Sequence, residues 1–272
     1  MTPRAGPRRL RMVIVWLFAA VLTAYLGIVV LVAASQRSVI YPAPPPRAAP
    51  PGYASVALRT ADGLTLTAGY RSARAGLPTV LLFHGNGMVW PDGLYVTELL
   101  ASRGYGLLLA EYRGYNGNPG KPNEQGLYHD ARAALAFLHS SGVESQDVVL
   151  AGLSIGSGPA VQLATEHEVR GLILISPFAS LVATASATYP WLPVRWLLRD
   201  RYDNLAKLPS VTAPVLILHG DADRLIPPAH VERLAAARPG AEIVLLPGRG
   251  HNMATDPLAE RLQLEFLERL GR

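Results

Sequence analysis

The chain has 272 residues, half of them hydrophobic, and a formal net charge of +5 at neutral pH. It contains no cysteine, which excludes disulfide bonds, thiolate metal sites and a thiol nucleophile. Four of the five excess positive charges lie before the first apolar run, on Arg4, Arg8, Arg9 and Arg11. The basic composition therefore does not indicate nucleic-acid binding. The roughly 230 residues that follow the run are enough for one domain with a large core.

The apolar run near the amino terminus predicts a membrane anchor. Residues 13–34 carry no charge, and as a helix they extend over about 33 Å, against about 30 Å for the hydrocarbon core of a bilayer. A cleaved signal peptide is the competing interpretation, because small residues at 32–34 precede Ser35. The apolar region of a signal peptide is only about 7–15 residues long, which favours an uncleaved transmembrane anchor over residues 12–35.

The charges that flank this run predict its orientation. Four arginines precede it, whereas Arg37 alone lies close behind it. Arginine-rich flanks of a membrane span stay in the cytoplasm. Residues 1–11 are therefore predicted to be cytoplasmic, and the domain that follows the anchor is predicted to be periplasmic or extracellular.

Residues 36–52 are rich in proline and predict a polyproline II stalk between the anchor and the domain. At about 3.1 Å per residue the stalk reaches about 30 Å, with the alternative that part of it packs on the domain. Residues 53–272 are predicted to form the domain itself. It begins with two strand-like stretches around an Asp62-Gly63 turn, a hairpin signal.

Strand-like and helix-like segments alternate through the domain. An amphipathic pattern predicts a helix over residues 123–140. This alternation is typical of an α/β fold, with a mostly parallel twisted sheet and helices on both faces. The predicted buried strands are residues 80–83, 106–110, 148–151, 172–175, 215–218 and 243–246.

A Gly-Leu-Ser-Ile-Gly sequence at residues 152–156 directly follows one of these strands and leads into small, helix-compatible residues. A Gly-x-Ser-x-Gly turn between a strand and a helix exposes its serine, and the small flanking residues avoid collisions with neighbouring elements. The pattern predicts Ser154 as a nucleophile. An ordinary glycine-rich turn is the alternative, because the five-residue pattern alone is common.

Two aspartates follow the predicted strand at residues 215–218, and either is close enough to orient a histidine. Asp221 comes directly after Gly220 and is suited to cap its own turn through an Asx hydrogen bond. Asp223 lies two residues further out, where the loop bends back over the sheet. The residues alone leave both candidates open.

The general base is predicted from the position of the seven histidines. His251 stands in a glycine-flanked loop after the last predicted strand. A flexible loop at that point of the chain can place the histidine side chain over the end of the sheet. His84 and His219 each end a strand and are predicted to be structural. His230 is predicted to be a surface residue of a helix.

Taken together, these motifs resemble the membrane-anchored branch of the α/β-hydrolase superfamily over most of residues 35–270. One departure is Glu111, where aspartate is usual before the Tyr-Arg-Gly-Tyr loop, and residues 116–120 also differ from the common pattern. The motifs that carry the resemblance lie at residues 36–42, 84–86, 111–115, 152–156, 223–227 and 250–252.

The resemblance implies a Ser154–His251–Asp223 triad, with Asp223 favoured over Asp221 by the usual spacing of this fold. It also implies an oxyanion hole formed by the backbone N–H groups of Asn86 and Ile155. For the loop that contains Asn86, a tight glycine-rich turn without that role is the alternative. This chemistry requires no cofactor and no metal ion.

The predicted function is a membrane-anchored serine hydrolase that cleaves ester, thioester or amide bonds of a small-molecule or lipid-like acyl substrate. An acyltransferase, a serine peptidase or a non-catalytic binding protein are the alternatives, and the last is disfavoured because no triad member is missing. Residues 177–210 interrupt the alternation of strands and helices and are interpreted as a small cap or as a plain connector. Their tryptophans also suit a bilayer interface. The oligomeric state stays open.

Overall fold

The computed structural model describes residues 7–271 and contains one eight-stranded sheet, in the order β1-β2-β4-β3-β5-β6-β7-β8. The strands are β1 (Ala54–Arg59), β2 (Thr65–Arg71), β3 (Thr79–Phe83), β4 (Gly106–Leu109), β5 (Val148–Leu153), β6 (Gly171–Ile175), β7 (Val215–Gly220) and β8 (Glu242–Leu246). The helices are α1 (Pro7–Ile40), α2 (Gly93–Arg103), α3 (Glu124–Ser140), α4 (Ser157–Glu166), α5 (Leu181–Thr188), α6 (Val194–Leu197), α7 (Asn204–Lys207), α8 (Ala229–Ala237) and α9 (Pro257–Leu270).

The sheet is antiparallel at one edge and parallel elsewhere. The predicted hairpin forms β1 and β2, and β2 pairs with β4 in antiparallel fashion. Every pair from β4 to β8 is parallel. The fully buried strands β3, β5 and β6 lie side by side, which explains why they read as unbroken apolar runs rather than as alternating patterns. The predicted fold class is confirmed.

Two hydrophobic cores cover the two faces of the sheet. One contains buried side chains of α3, α4 and α8, and the other contains those of α2 and α9. The α3 helix begins where the sequence pattern placed it, because the Asn123 side chain accepts a hydrogen bond from the Gly126 N–H at 3.0 Å and caps the first turn. The two cores fix the carboxyl edge of the parallel strands, where the loops with the predicted site residues meet.

The α1 helix is long and apolar enough to cross a membrane, with a mean hydropathy of 2.6 in its most apolar stretch, and that stretch is exposed. The helix extends five residues past the predicted anchor boundary at residue 35, so residues 36–40 of the predicted stalk are helical. The first six residues, including Arg4, lie outside the described part of the chain.

The proline-rich residues that follow α1 lie along the domain. The Arg47 backbone N–H donates a hydrogen bond to Asn116 Oδ1 at 2.7 Å, and its guanidinium pairs with Asp92. Tyr41 is buried, and its hydroxyl is 2.9 Å from that of Tyr202. Long-range polar contacts of this kind have no signature in a proline-rich composition. They hold the segment against the domain instead of extending it as a free spacer.

Candidate active site

The turn between β5 and α4 presents Ser154 in a backbone conformation that side chains rarely adopt, with φ of +49°. The flanking glycines explain how this turn is accommodated. A Cβ atom on Gly156 would lie 2.1 Å from the Phe83 carbonyl oxygen, and one on Gly152 would lie 2.6 Å from the Gly156 carbonyl oxygen. Both positions therefore require glycine. Ser154 itself is half-buried, at the carboxyl ends of the parallel strands.

Three predicted site residues meet at this turn through two hydrogen bonds. His251 Nε2 is 2.9 Å from Ser154 Oγ, and His251 Nδ1 is 2.8 Å from Asp223 Oδ2. The ionised carboxylate accepts only, so Nδ1 carries the proton toward Asp223, and Nε2 is left to accept from the serine hydroxyl. The three residues come from three different loops, since Asp223 lies 28 positions and Ser154 97 positions before His251 in the chain.

Asp223 is buried and held in one orientation. Its Oδ1 accepts hydrogen bonds from the backbone N–H groups of Leu225 and Ile226, both at 2.9 Å, which leaves Oδ2 for the imidazole. Burial raises the pKa of the Asp223 carboxyl. The hydrogen bonds from His251 and Ile226 and the nearby histidine charges lower the pKa by a larger amount. The net pKa lies below its ordinary value, so the carboxyl is ionised at neutral pH.

Asp221 has a different partner from the one its position indicated. Its Oδ1 accepts a hydrogen bond from the backbone N–H of Gly248 at 2.7 Å, so the carboxylate connects to the loop that leads to His251 instead of capping its own turn. Nearby, the Ala222 N–H donates to the Arg249 carbonyl at 2.9 Å. Both contacts hold the histidine loop against the end of β7.

Ser176 adds a contact to the same loop that no sequence signal indicated. It follows β6 with φ of +48°, and its hydroxyl donates a hydrogen bond to the His251 carbonyl oxygen at 2.8 Å. The backbone of His251 is therefore fixed from the sheet side as well. A single serine at a strand end is too common in sequences to reveal this role.

The other histidines near the sheet are packed residues. His219 is buried, as its predicted structural role requires, and its Nε2 is 2.8 Å from the Ile226 carbonyl oxygen. The prediction that His230 lies on the surface is wrong. It is buried, and its Nδ1 accepts a hydrogen bond from the Ala179 N–H at 3.2 Å, because residues after β6 cover this face of α8.

Asn86 and Ile155 follow the ends of two neighbouring strands. Phe83 in β3 pairs with Gly152 in β5, so Asn86 and Ile155 each lie three residues beyond that pair. Asn86 is exposed and Ile155 is buried. Ile155 directly follows Ser154 in its turn, and Asn86 lies in the loop after the neighbouring strand β3.

A buried hydrogen bond between two side chains supports the loop that contains Asn86. His84 Nε2 is 2.6 Å from Glu111 Oε1, and His84 Nδ1 is 3.0 Å from the Gly85 carbonyl oxygen. Glu111 also accepts hydrogen bonds from the backbone N–H groups of Trp90 and Tyr112, at 2.8 and 3.0 Å. In the sequence, Glu111 stands out only as a departure from the usual aspartate, and no local pattern indicates His84 as its partner.

Comparisons with known proteins identify the family of the chain. The sequence profile of the Alpha/beta hydrolase family matches residues 80–204. An uncharacterized protein of Mycobacterium tuberculosis is 38% identical over 254 residues, which cover 89% of each chain. The chain belongs to the α/β-hydrolase superfamily. Membership supports hydrolase chemistry on a small-molecule or lipid substrate.

The chain is also similar in sequence to a worm protein and in fold to solved structures. The Alpha/beta hydrolase domain-containing protein aho-3 of Caenorhabditis elegans is 33% identical over 71% of this chain and 56% of the worm protein. An esterase of Pyrococcus furiosus has a TM-score of 0.68 at 20% identity, over 83% of this chain and 96% of the esterase. A bacterial membrane phospholipase A has a TM-score of 0.62 at 20% identity, over 97% and 99% of the two chains.

Proposed function

We propose that the protein is a membrane-anchored serine hydrolase that cleaves acyl bonds through a covalent acyl-enzyme. The observation that carries this proposal is the continuous hydrogen-bonded chain from Ser154 through His251 to Asp223, built on a strained serine turn. Esters are the favoured substrate class, since the structural neighbours include proteins named as an esterase and as a phospholipase A. Thioesters and amides would be cleaved by the same steps.

The geometry supports a two-step reaction. His251 Nε2 removes the hydroxyl proton of Ser154 as Oγ attacks the acyl carbonyl carbon, and the tetrahedral intermediate carries its negative charge on the former carbonyl oxygen. His251 then gives that proton to the leaving alcohol, which departs as the acyl-enzyme forms. A water molecule, activated by His251, releases the acid and restores the serine. Asp223 stabilises the imidazolium at both stages.

The oxyanion is proposed to accept hydrogen bonds from the Asn86 and Ile155 backbone N–H groups. The Asn86 N–H and the Gly85 carbonyl belong to the same peptide unit, and His84 Nδ1 faces that carbonyl oxygen at 3.0 Å. The carbonyl oxygen can only accept, so Nδ1 is the donor in this contact. A donor on the carbonyl side fixes the peptide plane and polarises its N–H.

Replacing Glu111 with glutamine is expected to lower kcat about tenfold with little change in KM. The oxyanion donor is retained but less well aligned, and complete loss of such a donor costs about 10²–10³. Tyr112→Phe is the matched control, because it removes a 2.8 Å hydrogen bond to the neighbouring His84 carbonyl and leaves the Gly85–Asn86 peptide untouched. Steady-state kinetics on one ester measure both variants. A larger loss in the control than in Glu111→Gln would contradict this role.

The proposed activity is tested with the full-length protein in lipid nanodiscs. It is given p-nitrophenyl esters of graded acyl length, an acyl thioester and an acyl anilide, and product release is followed spectroscopically. We expect hydrolysis of at least the esters, with a preferred acyl length. If the folded protein hydrolyses none of the esters, the thioester and the anilide, the result would contradict the proposed function. Transfer to an added alcohol in preference to water would instead assign an acyltransferase.

The catalytic domain is proposed to lie outside the cytoplasm. In the sequence, Arg4, Arg8, Arg9 and Arg11 precede the apolar stretch of α1, and Arg37 alone lies close behind it. Greater positive charge before a span favours a cytoplasmic amino terminus. Protease added to spheroplasts of a Gram-negative host is expected to digest the domain without lysis. Full protection until the cells are lysed would reverse the orientation, and release of the intact protein by a salt wash would contradict the anchor.

A further inference from the structure

The residues that follow α5 are fastened to the end of α1. Gln36 donates to the Leu197 carbonyl at 3.1 Å and accepts from the Arg199 N–H at 2.9 Å. Arg37 pairs with the buried Asp200 at 3.1 Å. These contacts surround the short α6 helix, so this part of the predicted cap is tied to the anchor helix and cannot move independently of it without breaking them.

One further contact fixes the depth of this segment relative to α1. The Tyr25 hydroxyl donates a hydrogen bond to the Trp191 carbonyl oxygen at 3.1 Å. Tyr25 is twelve residues past Val13, the first residue of the uncharged run, and thus about 18 Å along the helix. A bilayer core of about 30 Å that begins near Val13 therefore ends about 12 Å beyond Tyr25, so Trp191 lies in the outer part of the core. Gln36, which contacts Leu197 and Arg199, is about 35 Å along the helix and lies at the headgroup level. Movement of the helix outward would draw the arginines before Val13 into the hydrocarbon core, where a charged side chain is costly.

Between the levels of Tyr25 and Gln36 the surface of the segment has the composition of a bilayer interface. Trp196 is 89% exposed, Trp191 53% and Tyr189 44%, although aromatic side chains of this size are usually buried. Tryptophan and tyrosine are favoured at the level of lipid headgroups, where the ring is amphipathic. The arginines among and beside them, Arg195, Arg199 and Arg201, are exposed as well and complement lipid phosphates.

An apolar groove of about 220 Å³ lies between this segment and α1. Its lining includes Val32, Val39 and Ile40 of α1 and Ala185, Leu192 and Leu197 of the cap, and none of the residues that meet at Ser154. The groove is therefore separate from the proposed catalytic centre. Its apolar walls continue the exposed apolar surface of α1 onto the domain, as expected where both contact hydrocarbon.

We propose that residues 189–199, here named the interfacial face, insert into the membrane leaflet next to the domain, from the outer part of the hydrocarbon core to the headgroups. Trp191 lies in the outer part of the hydrocarbon core and Trp196 at the level of the headgroups, the arginines contact lipid phosphates, and the groove beside α1 is covered by acyl chains. This placement rests on the proposed anchor. It holds the hydrolase domain in a fixed orientation on the membrane surface, within reach of substrates that partition into the bilayer.

The absence of cysteine from the chain makes a direct test possible, because a single introduced cysteine carries a unique nitroxide label. Three full-length variants are reconstituted into vesicles of phosphatidylethanolamine and phosphatidylglycerol. Trp196→Cys reports on the interfacial face, and Trp16→Cys reports on α1. Gln146→Cys is the aqueous control, because Gln146 is exposed just before β5, at the amino ends of the parallel strands. Collisions of the label with oxygen and with a water-soluble nickel chelate measure its depth.

We expect the label at position 16 in the hydrocarbon core, the label at position 196 at headgroup depth and the label at position 146 in water. A label at position 16 in water would overturn the anchor itself. With position 16 in the core, a label at position 196 as accessible to nickel as the control would overturn the interfacial face alone. Dipolar broadening at position 196 that vanishes on dilution with unlabelled protein would assign this face to a second copy of the chain, which also overturns the proposal. Tyr189→Cys provides an independent position should Trp196→Cys fail to fold.

Discussion

Replacing either Ser154 or His251 with alanine is expected to lower kcat for ester hydrolysis by about 10⁶. Either change breaks the 2.9 Å contact between His251 Nε2 and Ser154 Oγ, without which the hydroxyl is not activated. Because the two residues act as one unit, the double variant should be no slower than either single variant. Initial rates on one p-nitrophenyl ester, measured with all three proteins at equal concentration, give the comparison.

Neither substitution is expected to unfold the protein, because both side chains are half-buried at the carboxyl ends of the strands and are not part of a hydrophobic core. Unchanged thermal unfolding would show that the loss belongs to the reaction. Residual activity near the wild-type level in Ser154→Ala would place the nucleophile elsewhere. Losses that multiply in the double variant would show that the two residues act independently, contrary to the proposed mechanism.

Asp223→Asn is expected to lower kcat by about 10⁴, with KM nearly unchanged. An asparagine amide in place of Oδ2 can donate a hydrogen bond to His251 Nδ1, which holds the imidazole in the tautomer that cannot accept the serine proton. The same change removes the negative charge that stabilises the imidazolium. The kinetics are measured on the ester preferred by the wild-type protein.

Asp221→Asn is the matched control, because it makes the same chemical change two residues away. The asparagine oxygen can still accept the hydrogen bond from the Gly248 N–H, so the histidine loop should keep its position. We expect a far smaller loss of kcat than in Asp223→Asn. The opposite ranking would transfer the role of the acid to Asp221.

Much of the fold and of the site could be predicted because the responsible signals are local. Unbroken apolar runs indicated the buried strands, and Asn123 marked the start of α3. The spacing of Gly152, Ser154 and Gly156 reflects contacts within a single turn, where an added Cβ would meet backbone atoms. Local signals did not distinguish Asp223 from Asp221, because both follow the same strand and only the resemblance favoured Asp223.

The remaining features depend on residues far apart in the chain. The proline-rich segment lies on the domain because Arg47 meets Asp92 and Asn116, 45 and 69 positions away. His230 is buried by residues that precede it by about fifty positions, although its own helix reads as a surface element. The pairing of Glu111 with His84 joins two loops at adjacent strands. No local pattern encodes such contacts, since each partner alone is an ordinary polar residue.

The most direct test of the proposed serine hydrolase is the site of covalent modification by a fluorophosphonate. The wild-type protein in lipid nanodiscs is treated with the probe, digested and analysed by mass spectrometry beside Ser154→Ala and Asp221→Asn. We predict one adduct, on the Ser154 side chain, present in the wild type and in Asp221→Asn and absent from Ser154→Ala. An adduct that persists in Ser154→Ala, or no adduct in folded wild-type protein, would contradict the assignment of Ser154 as the nucleophile.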